Sequence, residues 1–314
     1  MNYLKDYREG EKFVGTYLCK QKQILKTKAG KTYYSLTLQD KTGTADGKIW
    51  ELNNGIANFE PMDYIHCEGM VTSFQGNLQM NISRVRISDE GEYDPADYVP
   101  CTNKDVGEMF SRILKYVASV QNKYLRKILE MYFVENKEFV DAFKKHSAAK
   151  SVHHGFMGGL LEHTLSVTDM CQYFAEHYPM IHRDLLITVA LFHDMGKIQE
   201  ISDFPMNDYT DDGQLLGHIY IGARCMENAA AQIPNFPPKL KNELVHCILA
   251  HHGKMEFGSP KVPAIMEAMA LHMADNADAK LQTLTEVFTQ AGDNMGWLGF
   301  NRMFESNLRK TSEE

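Results

Sequence analysis

The chain carries 13 histidines in 314 residues, yet only one of them, His66, precedes residue 146. It has no CxxC pair: its six cysteines, Cys19, Cys67, Cys101, Cys171, Cys225 and Cys247, stand apart, several in apolar helical stretches. That argues against a disulfide framework and for buried free thiols in a reducing compartment. No apolar run approaches the ~20 residues needed to span a bilayer, so no membrane partner is expected. The first residues, MNYLKDYREGEKF, have no apolar h-region and do not read as a signal peptide; a cytoplasmic protein is expected. Surplus positive charge is missing too. The net charge is −8, so bulk charge does not attract a polyanion, and any nucleic-acid contact needs a local basic patch or a bound metal. Low-complexity tracts are absent, and 44% hydrophobic content over this length suffices for two domains with their own cores.

The histidine-poor part reads as β structure. Between residues 12 and 88, FVGTYLCKQKQILKT, TYYSLTLQD, GTADGKIWE, YIHCEGMVTSF and LQMNISRVRI alternate or are rich in β-branched and aromatic residues. Turn signals separate them at Ala29-Gly30, Lys41-Thr42-Gly43, Asn53-Asn54-Gly55 and Gln75-Gly76-Asn77. Five strands, with a longer connection between the third and fourth, predict a small closed barrel, most often an oligonucleotide-binding (OB) barrel. Lys20, Lys22, Lys26, Lys28 and Lys31 surround the first hairpin, with Tyr33, Tyr34, Trp50 and Phe74 close in sequence. Cationic grooves with aromatic surfaces hold single strands; equally, the aromatics are core and the lysines a solvated edge. Alternation puts Tyr33 and Tyr34 on opposite faces. The candidate contacts are Lys20, Lys22, Lys28, Lys31, Tyr34 and Phe74. Residues 1–90 are taken as the barrel domain and the acidic, proline-bearing stretch 91–104 as a linker.

From residue 105 the pattern is helical to the end, with a bundle core at about 145–290. An ordered set of metal-ligand types lies there: His163, His193-Asp194, His218, His251-His252 and Asp275. The run DLLITVALFHDMGK is apolar at helical spacing and stops at Gly196, which puts His193 and Asp194 at a helix end. Adjacent positions on a helix point about 100° apart, so His251 and His252 both ligate only if the helix frays before Gly253. Imidazole with carboxylate suits a borderline or hard divalent ion: Mn, Fe, Co, Ni or Zn. The donors exceed one ion's needs, and Asp194 has a second oxygen to bridge, so two ions are the economical reading. Such a pair activates water and stabilises in-line displacement at phosphorus. Lys197 is placed to meet phosphate charge, or is an ordinary helix-end lysine. His153 and His154 are read as phosphate or ribose contacts, and Ser259, Lys261, Asp278 and Lys280 as lining the entrance.

The metal set resembles the HD superfamily of metal-dependent phosphohydrolases. The strings HHGFMGGLLEHTLS, FHDMGK, LLGHI, LAHHGKMEFGSPK and LHMADNADAK, behind an OB-like domain, are similar to the YhaM-type 3′→5′ exoribonucleases of bacteria, over nearly the whole chain. The resemblance implies an OB domain on single-stranded RNA or DNA and a manganese-dependent HD domain that trims from the 3′ end. The HD ligands fall on His163, His193, Asp194, His218, His251, His252 and Asp275, with Asp194 and Lys197 as the catalytic candidates. The fold expected is therefore a multidomain chain: an all-β OB-like barrel followed by an all-α HD bundle. The activity expected is release of 5′-mononucleotides. Two alternatives stay open: a phosphohydrolase for a small nucleotide or cyclic dinucleotide, and a non-catalytic nucleic-acid-binding protein. The apolar, Met-rich helical faces before residue 145 either pack within the chain or form a homo-oligomer interface.

Overall fold

A computed structural model describes residues 3–53, 55–74, 77–150 and 154–312. The expected turn residues Asn54, Gln75 and Gly76 and the candidate contact His153 lie outside the described residues. The chain divides into two compact units: residues up to Cys101 together with Phe204–Met206, and the remainder from Thr102.

Five strands form the first unit: β1 (Lys12–Lys26), β2 (Thr32–Asp40), β3 (Gly43–Ile49), β4 (Tyr64–Phe74) and β5 (Asn77–Ile87). They close into a barrel in the order β1-β2-β3-β5-β4. All pairs are antiparallel except β3 with β5. This is the partly crossed connectivity of an OB-like barrel. The long β1 serves two neighbours: Lys12 to Leu18 pair with β4, Leu18 to Lys26 with β2, and a bulge falls between Cys19 and Gln21. Alternate residues fill the interior, among them Phe13, Tyr17, Leu36, Leu38, Ile65, Val71, Met80 and Ile82. The stretch expected as a linker begins on the barrel itself. Tyr93 stacks on Tyr64 at 4.0 Å, and Gln39 donates to the Tyr98 carbonyl at 2.9 Å. A turn over Pro95–Asp97, capped by the Asp94 carboxylate, leaves Tyr98 buried. The two tyrosines of EYDPADYV explain this: their rings pack on Tyr64 and on each other more favourably than they hydrate.

The second unit is helical: α1 (Val106–Ser119), α2 (Lys123–Glu130), α3 (Lys137–Lys145), α4 (Gly159–His177), α5 (Arg183–Phe192), α6 (Lys197–Glu200), α7 (Asp211–Ala231), α8 (Pro238–Ala250) and α9 (Met266–Gln290). Side chains of Asp105, Asn122 and Asn136 cap the first three by accepting from backbone N–H groups. α5 is buried from Leu185 to Phe192 and is the central rod, with α4, α8 and α9 packed on it. The apolar faces before residue 145 pack inward: Met109, Phe110, Ile113, Leu125, Ile128 and Phe133 join the same core. No helix among the described residues is long and apolar enough to cross a membrane.

Candidate functional site

Five helical segments meet at one place. α5 stops at Phe192, and His193-Asp194 begin the turn that leads into α6. α8 stops at Ala250, and His251-His252 follow in a turn closed by Gly253 at φ 77°. α7 kinks at Gly217 (φ 72°, ψ 153°), which aims the next residue, His218, inward. His163 on α4 and Asp275 on α9 complete the ring. Gly196 was expected as a helix-ending residue. It is instead right-handed (φ −64°, ψ −20°), and its need is space: a Cβ there would lie 2.1 Å from the His218 carbonyl oxygen. The turn after His193-Asp194 thus rests directly on the backbone of the third histidine.

The donors converge. His163 Nε2 lies 3.1 Å from His193 Nε2, 3.4 Å from Asp194 Oδ2 and 3.3 Å from Asp275 Oδ1. His193 Nε2 is 3.5 Å from the same Asp194 oxygen. The other oxygen, Oδ1, lies 3.6 Å from both His218 Nε2 and His251 Nε2. His218 Nε2 faces His252 Nε2 at 3.3 Å. The residues fall into two groups, His163, His193 and Asp275, and Asp194, His218, His251 and His252, with one Asp194 oxygen turned towards each.

The outer nitrogen of every ring is held by an acceptor. Nδ1 donates to the Ala190 carbonyl from His193 (2.8 Å), to Ile248 from His251 (2.7 Å) and to Phe257 from His252 (2.7 Å). His218 Nδ1 donates to Glu200 Oε1 at 2.9 Å and His163 Nδ1 to Asp278 Oδ2 at 2.7 Å. Each bond fixes the tautomer and turns an Nε2 lone pair inward. Two pairs of lone pairs then face each other at 3.1 and 3.3 Å, a geometry that calls for a cation between them. Neither Asp194 Oδ1 nor His251 Nε2 has a hydrogen-bond partner among the described residues, and Asp194 Oδ2 meets the Lys197 ammonium at 2.7 Å. Buried polar atoms left this way are costly unless a metal satisfies them. The donor set fits divalent metal.

Electrostatics divide the rings: the surrounding aspartates raise His163 and His251 against the opposing effect of burial, while two other rings shift down. Burial lowers His193 to about 4, with His163 and His251 adding to the effect against Asp194 and Asp275. Burial, with His251 and His218, lowers His252 to about 3. Both rings are neutral, the form that ligates. Burial would raise the carboxyls of Asp194 and Asp275, but Lys197 beside Asp194 and the His163 ring beside Asp275 hold both well below the usual range.

Other expected residues land differently. Lys197 was expected to meet phosphate; its ammonium pairs with Asp194 Oδ2 at 2.7 Å, and that charge raises its pKa against the opposing effect of burial. Asp278 was expected at the entrance, but one turn beyond Asp275 it faces α4 and is buried. It accepts from His154 Nε2 (2.9 Å), His163 Nδ1 and the Ser166 hydroxyl. His154 is likewise buried against Asp278 rather than open to a ribose or phosphate. Ser259 is buried because its N–H folds back to the Lys254 carbonyl. Lys261 is exposed, with its charge acting on His246, and Lys280 is exposed on α9.

On the barrel, two of the six expected contacts turn inward. Lys22 pairs across from Leu36, a core residue, so both point to the same side. Its ammonium donates to the Phe59 carbonyl at 2.5 Å and lies over the Tyr34 and Phe59 rings. Tyr34 packs on the barrel core, edge-on to Phe59. Neither is available to a strand. Lys20 and Lys28 are exposed, Lys31 is exposed beside Glu51, and Phe74 is exposed at the rim of a cavity of about 540 Å³.

A family model described as HD domain matches residues 160–280. The second OB-fold domain of replication protein A from Methanococcus maripaludis aligns with 29% of this chain and 98% of that one, at 20% identity and a TM-score of 0.24. The 3′-5′ exoribonuclease YhaM of Bacillus subtilis (strain 168) is 32% identical over 262 residues, 81% of this chain and 81% of that protein. The 3′-5′ exoribonuclease YhaM of Listeria innocua is 32% identical over 293 residues, 90% of each. The chain belongs to the YhaM family of 3′-5′ exoribonucleases. In this YhaM-family chain, sequence reasoning missed Glu200 and Ser166, and placed His272 on the face of Asp275 without giving it a role. Glu200 Oε1 accepts both the ring and the backbone N–H of His218. His272 Nδ1 donates to the His251 carbonyl at 3.0 Å, and its ring fills the space a Gly253 side chain would need. The one available signal was spacing: Ser166 lies three residues past His163, and His272 three before Asp275.

Proposed function

We infer that this chain is a metal-dependent 3′→5′ exonuclease that acts on single-stranded RNA and releases 5′-mononucleotides. The observation that carries the reading is Asp194: one buried carboxylate with an oxygen turned to each of two histidine groups. In this reading His163, His193, Asp275 and Asp194 would hold one divalent ion, manganese by the resemblance, and Asp194, His218, His251 and His252 would hold a second. Such a pair, when bound, lowers the pKa of water and stabilises both oxygens of an in-line displacement at phosphorus. The chain's own residues set the geometry. The five Nδ1 hydrogen bonds fix each ring before any ligand arrives, which spares the reaction that ordering cost. Lys197 balances the shared carboxylate and keeps positive charge beside the reacting phosphate. Lys261 and Lys280, both exposed, are the remaining candidates for contact with the chain of phosphates. The barrel supplies grip on the strand, as its OB-like topology supports.

The test is 5′-labelled single-stranded RNA with metal-stripped protein and manganese, magnesium or no addition, with products resolved by length. A ladder that shortens from the 3′ end only with metal is expected. RNA left intact under every metal, with free nucleotides turned over instead, overturns the reading in favour of a small-nucleotide phosphohydrolase.

A further inference from the structure

The barrel keeps two aromatic rings out of its core. Tyr33 opens β2 next to Tyr34, but on the opposite face. Trp50 directly follows β3, and because Tyr34 pairs with Ile49, the next residues outward are Tyr33 and Trp50. Their rings stack with centroids 4.6 Å apart and planes 26° from parallel. Trp50 Nε1 donates to Asn81 Oδ1 on β5 at 3.0 Å, and Asn81 Nδ2 donates to Thr72 on β4 at 3.0 Å. The indole is therefore fixed on one face by a tyrosine and at its edge by a relay across two strands, yet 40% of it remains exposed. The barrel core closes without either ring. A rigid aromatic held at the surface at no benefit to the core is a poor way to stabilise a fold and a good way to present a π face.

Its surroundings are polar and carry ion pairs. Lys48, two residues before Trp50 and on the same side of β3, reaches Ser35 at 2.7 Å and Asp46 at 2.6 Å. Lys31, two residues before Tyr33, is exposed beside Glu51. An apolar protein partner would find a small aromatic island ringed by charge. An unpaired base, which brings its own phosphate, finds stacking and charge compensation together.

We propose that the stacked pair Tyr33–Trp50 is the platform on which the barrel holds an unpaired nucleobase, with the exposed Lys31 beside its phosphates. The assignment rests on the single-strand reading above. The grip is tolerant of sequence, because every base has a π face, and it takes RNA and DNA alike, because stacking does not read the 2′-hydroxyl.

The chain has only two tryptophans, Trp50 and Trp297, and this makes the test direct. In the full-length Trp297→Phe protein, held in chelator so that the strand is not consumed, Trp50 is the sole indole. Titration with a single-stranded RNA 12-mer is followed by Trp50 emission and, in parallel, by the anisotropy of a labelled strand. Emission quenched with the same midpoint as the anisotropy change is expected. Trp50→Leu and Tyr33→Ala should weaken binding roughly 5- to 100-fold, while Trp50→Phe retains most of it. A strand that binds by anisotropy while Trp50 emission stays constant overturns the platform and leaves the single-strand reading intact. No anisotropy change at any concentration overturns both. The emission measurement needs no substitution in the barrel, so it stands even where Trp50→Leu fails to fold.

Discussion

The two units handle polar chemistry in opposite ways. The helical unit buries five histidines, Asp194, Asp275 and Asp278 at one focus, all but a small fraction out of solvent. Every one must be satisfied, so each recruits a backbone carbonyl, a carboxylate, a lysine or a metal. The barrel keeps an interior of Phe13, Tyr17, Leu36, Ile49 and Ile65 and leaves the candidate groups Lys20, Lys28, Trp50 and Phe74 on the outside. Where chemistry is internal, the fold is built around it and residue identity is tightly constrained. Where it is external, the fold is indifferent to it and constrains only which way a side chain points.

The sharpest way to break that contrast is Asp194→Ala. Turnover should fall by at least about a thousandfold, because one carboxylate serves both histidine groups. Strand affinity measured in chelator should stay within about twofold. A large loss of strand binding would mean that the two units are not separable in function. Next is Gly196→Ala, which drives a methyl into the His218 carbonyl. The turn and the α7 kink must part, so bound metal measured by elemental analysis should drop, and Tm should fall by roughly 2–10 °C for a cost of about 1–3 kcal/mol. An unchanged metal content would show that the contact is slack.

Smaller effects sharpen the comparison. Asp278→Asn keeps the shape but weakens the acceptor for His163, His154 and Ser166. Metal affinity by calorimetry should fall about 10- to 100-fold with strand binding unaltered. On the barrel, Lys22→Ala and Lys28→Ala should separate structure from grip. The first removes the ammonium that binds the Phe59 carbonyl and should cost about 1 kcal/mol of stability with little effect on the strand. The second should leave Tm unchanged and reduce the salt dependence of strand binding by about one unit of slope. The reverse pattern would return Lys22 to the surface.

The same contrast governs what could be read from the sequence. His163, His193, Asp194, His218, His251, His252 and Asp275 were legible as an ordered set because only a few residue types ligate metal. Both histidines of the adjacent pair point inward because α8 ends at Ala250, as Gly253 indicated. Their supports were illegible for a physical reason: Ala190, Ile248 and Phe257 act through backbone carbonyls, which carry no residue signature. Asp278 was visible as a residue but not as a role, since a carboxylate one turn from a ligand faces either solvent or the neighbouring helix. On the barrel, the strands followed from alternation and turn residues. The side each residue takes did not, because the bulge between Cys19 and Gln21 shifts the parity of β1 and carries Lys22 inward.

That long first strand has a consequence in time. Its neighbour β2 follows at once, but its other neighbour is β4, and Gly15 meets Cys67 only after about 50 further residues have been made. At the usual ~5–20 residues per second of synthesis, the edge from Lys12 to Leu18 waits roughly 3–10 s with its N–H and C=O groups unpaired. A strand edge exposed for that long is a template for any other nascent chain. The charged residues at its start, Glu9, Glu11 and Lys12, stand where such an edge is best guarded while the ribosome finishes the barrel.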